Sequence, residues 1–311
     1  MTFKLGYLLP TREQVMADQH DAARLLSLAG QADALGFDSL WVGDSLLARP
    51  RHDPLTLLGA IAVAAPNAQI GTAVLLPMLR NPVVLAQQLA TLDQISAGRL
   101  VVGAGIAADN PAIRAEFLAA GVPFEKRVGR LLEGFRLCRA LWSGEPVDWQ
   151  GRWELSNAVL APRPYTPDGP PIWLAASVPA GIKRAAQHFE GWFPIGPEAQ
   201  TFGQNNALYT EQAAAFGKPA TTAIYLTVSI AANAAQGEQA IDNYLAAYYN
   251  IDPAIMRRFQ ACCGGDLQTV LGFISSFIAN GADHVVLRLV GEHESQLQML
   301  AEHRDLLSSA V

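Results

Sequence analysis

The sequence predicts an eight-stranded parallel (β/α)8 barrel. Three observations lead there. Eight short apolar runs recur along the chain, each followed by a helical pattern. Residues 69–105 form a continuous strand–helix–strand unit, and two apolar strands joined by an amphipathic helix demand parallel pairing. A length of 311 residues suits one large barrel. Two ordinary domains and a doubly wound sheet are the alternatives. The latter is weakened because no Gly-x-Gly-x-x-Gly follows the first strand. The expectation is one domain over residues 1–311, with an insertion between strands.

Taken in order, residues 4–8 read as the first strand, ended by Pro10-Thr11, and residues 21–35 as an Ala/Leu helix stopped by Gly36. Residues 39–42 form the second strand, which runs into Gly43-Asp44-Ser45. Asp53 before Pro54 is an N-cap pattern for a helix through Ala65. Residues 70–76 are the third strand, Arg80-Asn81-Pro82 a polar break, and Val84, Leu85, Leu89, Leu92 and Ile95 a helical stripe. Residues 100–103 are the fourth strand, ending in Gly103-Ala104-Gly105.

The rhythm then breaks. A loop with a short helical piece at 112–119 precedes a long helix at 125–143, and 147–160 alternates about Gln150-Gly151 as a small hairpin. Five prolines between Pro162 and Pro171 extend the connection. Strands resume at 172–176, 191–194, 224–231 and 284–289. Helices are expected at 180–189, 197–216, 237–248, 267–279 and 295–308, with 250–265 irregular or an extra helix.

Composition excludes several functions. Apolar residues make up 50% and charged residues 16%, enough to bury a large core. The net charge is −6 without a basic cluster, which argues against nucleic acid. No apolar run approaches membrane length. The N-terminal apolar run is too short for a signal peptide. Cys138, Cys262 and Cys263 lack metal-ligand spacing, so a reduced cytoplasm is expected.

In a barrel the chemistry gathers at the C-terminal strand ends. There the sequence offers Pro10, Asp44-Ser45, Pro77 to Arg80, Gly103 to Asn110, Ala176-Ser177, Pro194-Ile195 and Arg288. No His/Asp/Glu cluster suits a metal, and no lysine falls at such an end to form a Schiff base. A site so poor in reactive side chains points to a cofactor. Ala175-Ala176-Ser177 before a helix start fits a phosphate, or else Ser177 is an ordinary N-cap.

Several segments together resemble the bacterial luciferase-like family of flavin-dependent oxidoreductases. They are ADALGFDSLWVGD (32–44), DPLTLLGAIA (53–62), the 70–105 unit, GVPFEKRVGRLLEGFRLCRALWSGEPV (121–147) and PPIWLAASVPAGIKRAAQHFEGWFP (170–194). They come in the family's order and cover most of the first two thirds. The resemblance implies FMN or the deazaflavin coenzyme F420 across the barrel mouth. It implies oxidation of a small organic substrate with reduced FMN and oxygen, or hydride transfer with F420. It also implies a homodimer using the helices that begin at Pro54 and Pro82, and a flavin reductase as a partner in the FMN case. A flavin-binding protein without turnover is the alternative from another class.

Residue by residue, Asp44 matches the family's acidic residue after strand two. Thr72, Ala73 and Val74 match the segment behind the flavin ring, where relatives often have a bulge with a non-proline cis bond. Gly103 and Gly105 match the strand-four end under the cofactor. Ala175, Ala176 and Ser177 match the phosphate-holding turn. Many members carry His after the acidic residue; this chain has Ser45, so an imidazole base is not carried over. Asp44, Ser45 and Arg80 are the catalytic candidates, with Arg80 alternatively a rim salt bridge. Arg288 is a candidate for a substrate anion or a phosphate. Trp41, Tyr7 and His284 read as core or structural, His52 as a loop residue, and Tyr248, Tyr249 and Trp192 as surface or core.

Overall fold

The structure, a computed structural model, describes residues 3–308. Its elements begin with β1 (Lys4–Leu8), α1 (Thr11–Met16), α2 (Ala23–Ala34), β2 (Ser39–Val42), α3 (Pro54–Ala64), β3 (Gln69–Leu75), α4 (Pro82–Ile95) and β4 (Leu100–Ala104). Next come α5 (Pro111–Ala119), α6 (Arg127–Trp142), β5 (Val147–Gln150), β6 (Glu154–Ala158), β7 (Ile172–Leu174), α7 (Pro179–His188), β8 (Gly191–Trp192) and α8 (Ala199–Ala215). The chain continues with β9 (Thr221–Ile230), α9 (Ala234–Tyr249), α10 (Pro253–Arg257), β10 (Ala261–Gly265), α11 (Leu267–Ala279), β11 (His284–Leu289), α12 (His293–Glu302) and α13 (Arg304–Ser308).

Eight of these strands close a parallel barrel in the order β1-β2-β3-β4-β7-β8-β9-β11, and β11 pairs back to β1. The β3 and β4 strands are neighbours, as the 69–105 unit requires. The β5–β6 hairpin is antiparallel and forms a separate sheet, as the alternation about Gln150-Gly151 predicts. Helices start where the polar punctuation places them. Asp53 accepts from Thr56 N at 2.9 Å and Asn81 from Val83 N at 2.9 Å, each followed by a proline.

The expectation for residues 250–265 needs correction. The segment holds a short helix and a five-residue strand: β10 runs parallel to the upper part of β9. The cause lies in mismatched strand lengths. β8 pairs with β9 only at Thr221 and Thr222, and the chain after it adds one bond from Tyr225 N to the Pro194 carbonyl, which leaves the upper part of that edge without a partner. Unpaired backbone at a sheet edge is costly when buried, and β10 satisfies it from Leu226 to Ile230. Its sequence, Ala-Cys-Cys-Gly-Gly, lacks the aliphatic signature of a strand. Small residues are needed because α9 presses on it: a Cβ on Gly264 would lie 2.0 Å from the Gly237 carbonyl carbon. Two smaller differences also appear. A helical turn, α1, follows β1 directly, and α8 begins two residues after the cis Gly196–Pro197 bond.

The inside of the barrel is sealed by aromatic side chains. Trp41 is fully buried, with ring centroids 5.1 Å from Phe193 and 5.5 Å from Trp173. Its Nε1 donates to Ser39 Oγ at 2.7 Å, and Ser39 Oγ lies 2.6 Å from His284 Nε2. Burial lowers the His284 pKa to about 3, so the imidazole is neutral and structural. Tyr7 is also core, its hydroxyl 2.8 Å from His293 Nδ1. The larger apolar layer lies between the sheet and the surrounding helices. No described helix is long and apolar enough to cross a membrane.

Candidate active site

The C-terminal strand ends form a mouth with two unlike walls. The first is built from β2, β3, β4 and β7. After Thr72 the β3–β4 register shifts and resumes at Leu75, a bulge, and the Ala73–Val74 bond is cis. The bulge and the non-proline cis bond stand where the resemblance implies them. Thr72 is buried and donates from Oγ1 to the Gly103 carbonyl at 2.7 Å, which ties the bulge to β4. Glycine is required beside it. A Cβ on Gly103 would lie 2.1 Å from the Thr72 carbonyl oxygen, and one on Gly105 would lie 2.7 Å from Val74 Cγ2. Ala73, Val74, Ala175 and Ala176 are half-buried and Ser177 is exposed. The result is a smooth surface of small side chains.

The charges on this wall are consumed internally. Asp44 Oδ2 accepts from Arg80 Nη1 at 2.6 Å and from Leu76 N at 2.9 Å, and Arg80 Nη2 reaches Asp53 at 3.0 Å. The Asp44 side chain is 4% exposed and that of Arg80 18%. Burial alone would lower the Arg80 pKa, but Asp44 and Asp53 outweigh it and raise it. The set clamps the ends of β2 and β3 and the start of α3. Ser45 donates to Glu116 on α5 at 3.2 Å and accepts from Arg49 N at 2.9 Å. Glu116 also takes the N–H of Leu46. Ser45 therefore secures the loop after β2.

The turn Ala175-Ala176-Ser177, expected from the sequence to hold a phosphate, differs in one detail from that reading. The N-cap of α7 is Val178, not Ser177, and Pro179 occupies the first helical position. The Ala176 carbonyl accepts from Trp192 Nε1 at 2.7 Å, which fixes the turn against the core.

The second wall comes from β9, β11, α1, α9 and the loop after β2. Arg288 sits on β11 opposite Thr227 of β9. Its guanidinium carbon lies 4.4 Å from the centre of the Tyr248 ring and 4.9 Å from that of Tyr225. Arg288 Nη1 donates to Tyr249 Oη at 3.1 Å, and Arg51 Nη2 donates to Tyr248 Oη at 2.9 Å. Arg51 also reaches the first wall: a Cβ on Gly43 would lie 2.1 Å from its Nη1. Burial holds the Tyr225 hydroxyl well above the usual phenol range, with Arg288 pulling the other way, so it is a proton-bearing donor.

Sequence reading found Arg288 here and missed Tyr225, Thr227, Arg12 and Arg51. A signal existed. Strands of a parallel barrel are normally apolar, so Tyr225 and Thr227, two apart in an aliphatic run, mark polar groups facing inward. His52 bonds the His20 carbonyl at 3.0 Å, away from both walls.

With that geometry in place, the chain compares with known proteins as follows. A family model described as luciferase-like monooxygenase matches residues 3–307. The F420-dependent glucose-6-phosphate dehydrogenase of Amycolatopsis mediterranei is 33% identical over 219 residues, which is 67% of this chain and 60% of the relative. That of Kineococcus radiotolerans is 34% identical over 222 residues, 67% of this chain and 59% of the relative. The matched stretch thus spans about 60% of the length of these curated relatives. Among solved structures, monooxygenase RslO1 from Streptomyces bottropensis superposes with a TM-score of 0.83 at 27% identity, covering 99% of this chain and 100% of the other. An F420-dependent secondary alcohol dehydrogenase shares the fold, with a TM-score of 0.81 at 21% identity over 97% of this chain and 98% of the other. The barrel and these matches together establish that the chain belongs to the luciferase-like monooxygenase family.

Proposed function

We propose that this chain is an oxidoreductase that holds coenzyme F420 or FMN across the barrel mouth and oxidises or reduces a small organic substrate beside it. The observation that carries the reading is the first wall. A surface of the half-buried Ala73, Val74, Ala175 and Ala176, packed on the buried Gly103 and Gly105, fits a planar ring better than it fits any side-chain chemistry. The cofactor named for the curated relatives supports F420 and hydride transfer. The solved monooxygenase supports oxygenation as the other reading.

The bound coenzyme would supply the redox chemistry. The chain's residues bind, orient and exclude water. Thr72 holds the bulge that backs the ring. Asp44 and Arg80 fix the strand ends on which that bulge rests. Ser45, through Glu116, holds the loop that borders it. The phosphate falls to the start of α7. Pro179 has no N–H, and the N–H groups of Gly181 and Ile182 turn back to the Val178 carbonyl. Ser177, Val178 and Ala180 are left to present N–H donors, and Ser177 adds a hydroxyl. Trp41, Trp173 and Phe193 close the barrel beneath and keep water out.

The same proposal includes one domain over 1–311, a cytoplasmic location, a homodimer through α3 and α4, and a flavin reductase serving the FMN form. Val63 on α3 is 74% exposed and Val84 on α4 is exposed as well, which supports the dimer; sedimentation at micromolar concentration tests it. The three cysteines are unpaired, which supports a reducing compartment. The deciding experiment is the absorption spectrum and mass of the copurifying cofactor, followed by titration of apoprotein with F420 and with FMN. Binding of neither would overturn the reading. Binding without turnover of any substrate would reduce it to a flavin-binding protein.

A further inference from the structure

Three guanidinium groups gather on the second wall without an ion pair among the described residues. The guanidinium carbons of Arg12, Arg51 and Arg288 lie 4.8, 5.8 and 4.4 Å from the centre of the one Tyr248 ring. None of the three makes an ion pair among the described residues, whereas Arg80 across the mouth makes two. Glu13 is the acidic side chain whose charge acts on Arg12 and Arg51, and it already accepts from the Tyr244 hydroxyl at 2.5 Å. Arg288 is only 6% exposed. Buried charges are normally paired, and these meet tyrosine rings and hydroxyls and, for Arg51, the Arg49 carbonyl at 3.1 Å, with no ion pair among the described residues.

Hydrogen-bonding capacity is left over in the same place. Arg288 Nε, Arg12 Nε and Nη1, and the hydroxyl oxygens of Tyr225 and Thr227 are buried and have no nitrogen or oxygen partner. Thr227 lies beside the Cys262 thiol. Tyr225 and Thr227 stand two residues apart on β9, and Arg288 faces Thr227 across the β9–β11 pair. Orphaned donors around uncompensated cations describe an incomplete hydrogen-bond set. An oxyanion completes it: it accepts from guanidinium in a bidentate manner and from hydroxyls, and neutralises the charge.

We propose that the substrate carries an oxyanion (a carboxylate, sulfonate or phosphate) and that Arg12, Arg51 and Arg288 bind it, with the Tyr225 and Thr227 hydroxyls donating to it. Three cations against one carboxylate favour a doubly charged group over a singly charged one. Arg12 and Arg51 are the partly exposed members and form the side from which the anion enters. Arg51 extends from this group to the Gly43 surface, so the anion seats the rest of the substrate against the first wall. This inference rests on the reading of the mouth as the substrate side.

The test is calorimetric titration of cofactor-free protein with inorganic phosphate, sulfate and acetate at constant ionic strength in chloride. Cofactor-free protein offers phosphate two sites, the start of α7 and the arginine group; the arginine site is the one that persists in Ala176→Asp, and it should take phosphate or sulfate more tightly than acetate. Arg288→Met and Arg12→Gln should each weaken it by about tenfold or more, because each removes charge-assisted hydrogen bonds. Ala176→Asp should leave it unchanged, since that substitution lies at the start of α7. Tightest binding by acetate would keep the site and reassign the group to a monocarboxylate. Absence of saturable binding by all three anions would overturn the proposal, as would binding that both arginine variants leave intact or that Ala176→Asp abolishes. If Arg288→Met fails to fold, Arg12→Gln decides. Titration of the same preparation with F420 and FMN separates the two readings: anions bound without either cofactor leave this site standing and remove the flavin assignment.

Discussion

On the β2–β3 side of the mouth, Asp44 and Arg80 meet at 2.6 Å and Asp53 completes the set. On the β9–β11 side, Arg288, Arg51 and Arg12 lie against tyrosine rings and meet no carboxylate among the described residues. The first arrangement is self-sufficient. Its charges orient one another and leave a surface of small side chains. The second is open-ended, because its hydrogen-bonding groups outnumber the partners the protein supplies. The contrast teaches that an arginine at a strand end is not a ligand site by position alone. What matters is whether the fold has already answered its charge.

The largest effect expected from testing this contrast is at the start of α7. Ala176 is half-buried, with its carbonyl held by Trp192. Ala176→Asp brings bulk and a negative charge toward the proposed phosphate. Affinity for the preferred cofactor should fall by more than about a hundredfold, a cost of roughly 2.7 kcal/mol, while circular dichroism stays that of the wild type. A folded variant that binds cofactor normally would place the phosphate elsewhere and dissolve the first wall's assignment.

Asp44→Ala asks whether the paired set is scaffold or chemistry. It leaves Arg80 partly buried without its main partner, and breaking such a pair costs about 3 kcal/mol. Urea unfolding should show that loss. Cofactor affinity, measured on the folded fraction, should change far less than in Ala176→Asp. A variant of wild-type stability that loses turnover alone would move Asp44 from scaffold to catalytic residue.

Beneath both walls, His284 predicts how the shared base of the mouth responds to acid. Its pKa is lowered to about 3 by burial, from about 6.5 in the unfolded chain. Above pH 6.5 both states are neutral at this group and its full stability is present. Below that, the unfolded chain binds the proton and the folded chain does not, so stability falls by about 1.4 kcal/mol per pH unit until the folded pKa is passed. Between pH 7 and 5 the loss should be about 2 kcal/mol in urea unfolding. His284→Gln keeps a hydrogen-bonding group near Ser39 and should flatten that slope; an unchanged slope would assign the acid response to other groups.

How much of this was legible in the sequence follows the same division. The position of the first wall was legible from local signals, while Thr72, Ala73 and Val74 were named only through the family resemblance. Asp53-Pro54 and Asn81-Pro82 announce helix starts, and Gly103 and Gly105 mark close approach. The second wall depends on residues far apart in the chain, Arg12, Arg51, Tyr225, Tyr248 and Arg288, which only barrel closure brings together. Arg80 could be read as a site residue or a rim salt bridge. Its pairing became visible only when β2 and β3 were side by side. β10 was missed because its glycines and cysteines answer the packing of α9, a demand that no propensity of its own records.

The smallest effect concerns Ser177 and sharpens the first wall most finely. Ser177 is exposed and is not the cap of α7. Its hydroxyl therefore has no structural duty that a loss of stability would reveal. If it faces the cofactor's phosphate, it contributes one hydrogen bond to a charged group, worth about 1.5 kcal/mol, less whatever water supplies at an exposed position. Ser177→Ala should then weaken cofactor binding by up to about tenfold and leave the unfolding midpoint unchanged. The backbone donors of the turn remain in that variant, so binding should persist. Ser177→Gly should match it, because the loss is the hydroxyl and not the backbone. Equal affinities for wild type, Ser177→Ala and Ser177→Gly, beside a strong defect in Ala176→Asp, would show that the phosphate is held by backbone N–H groups alone.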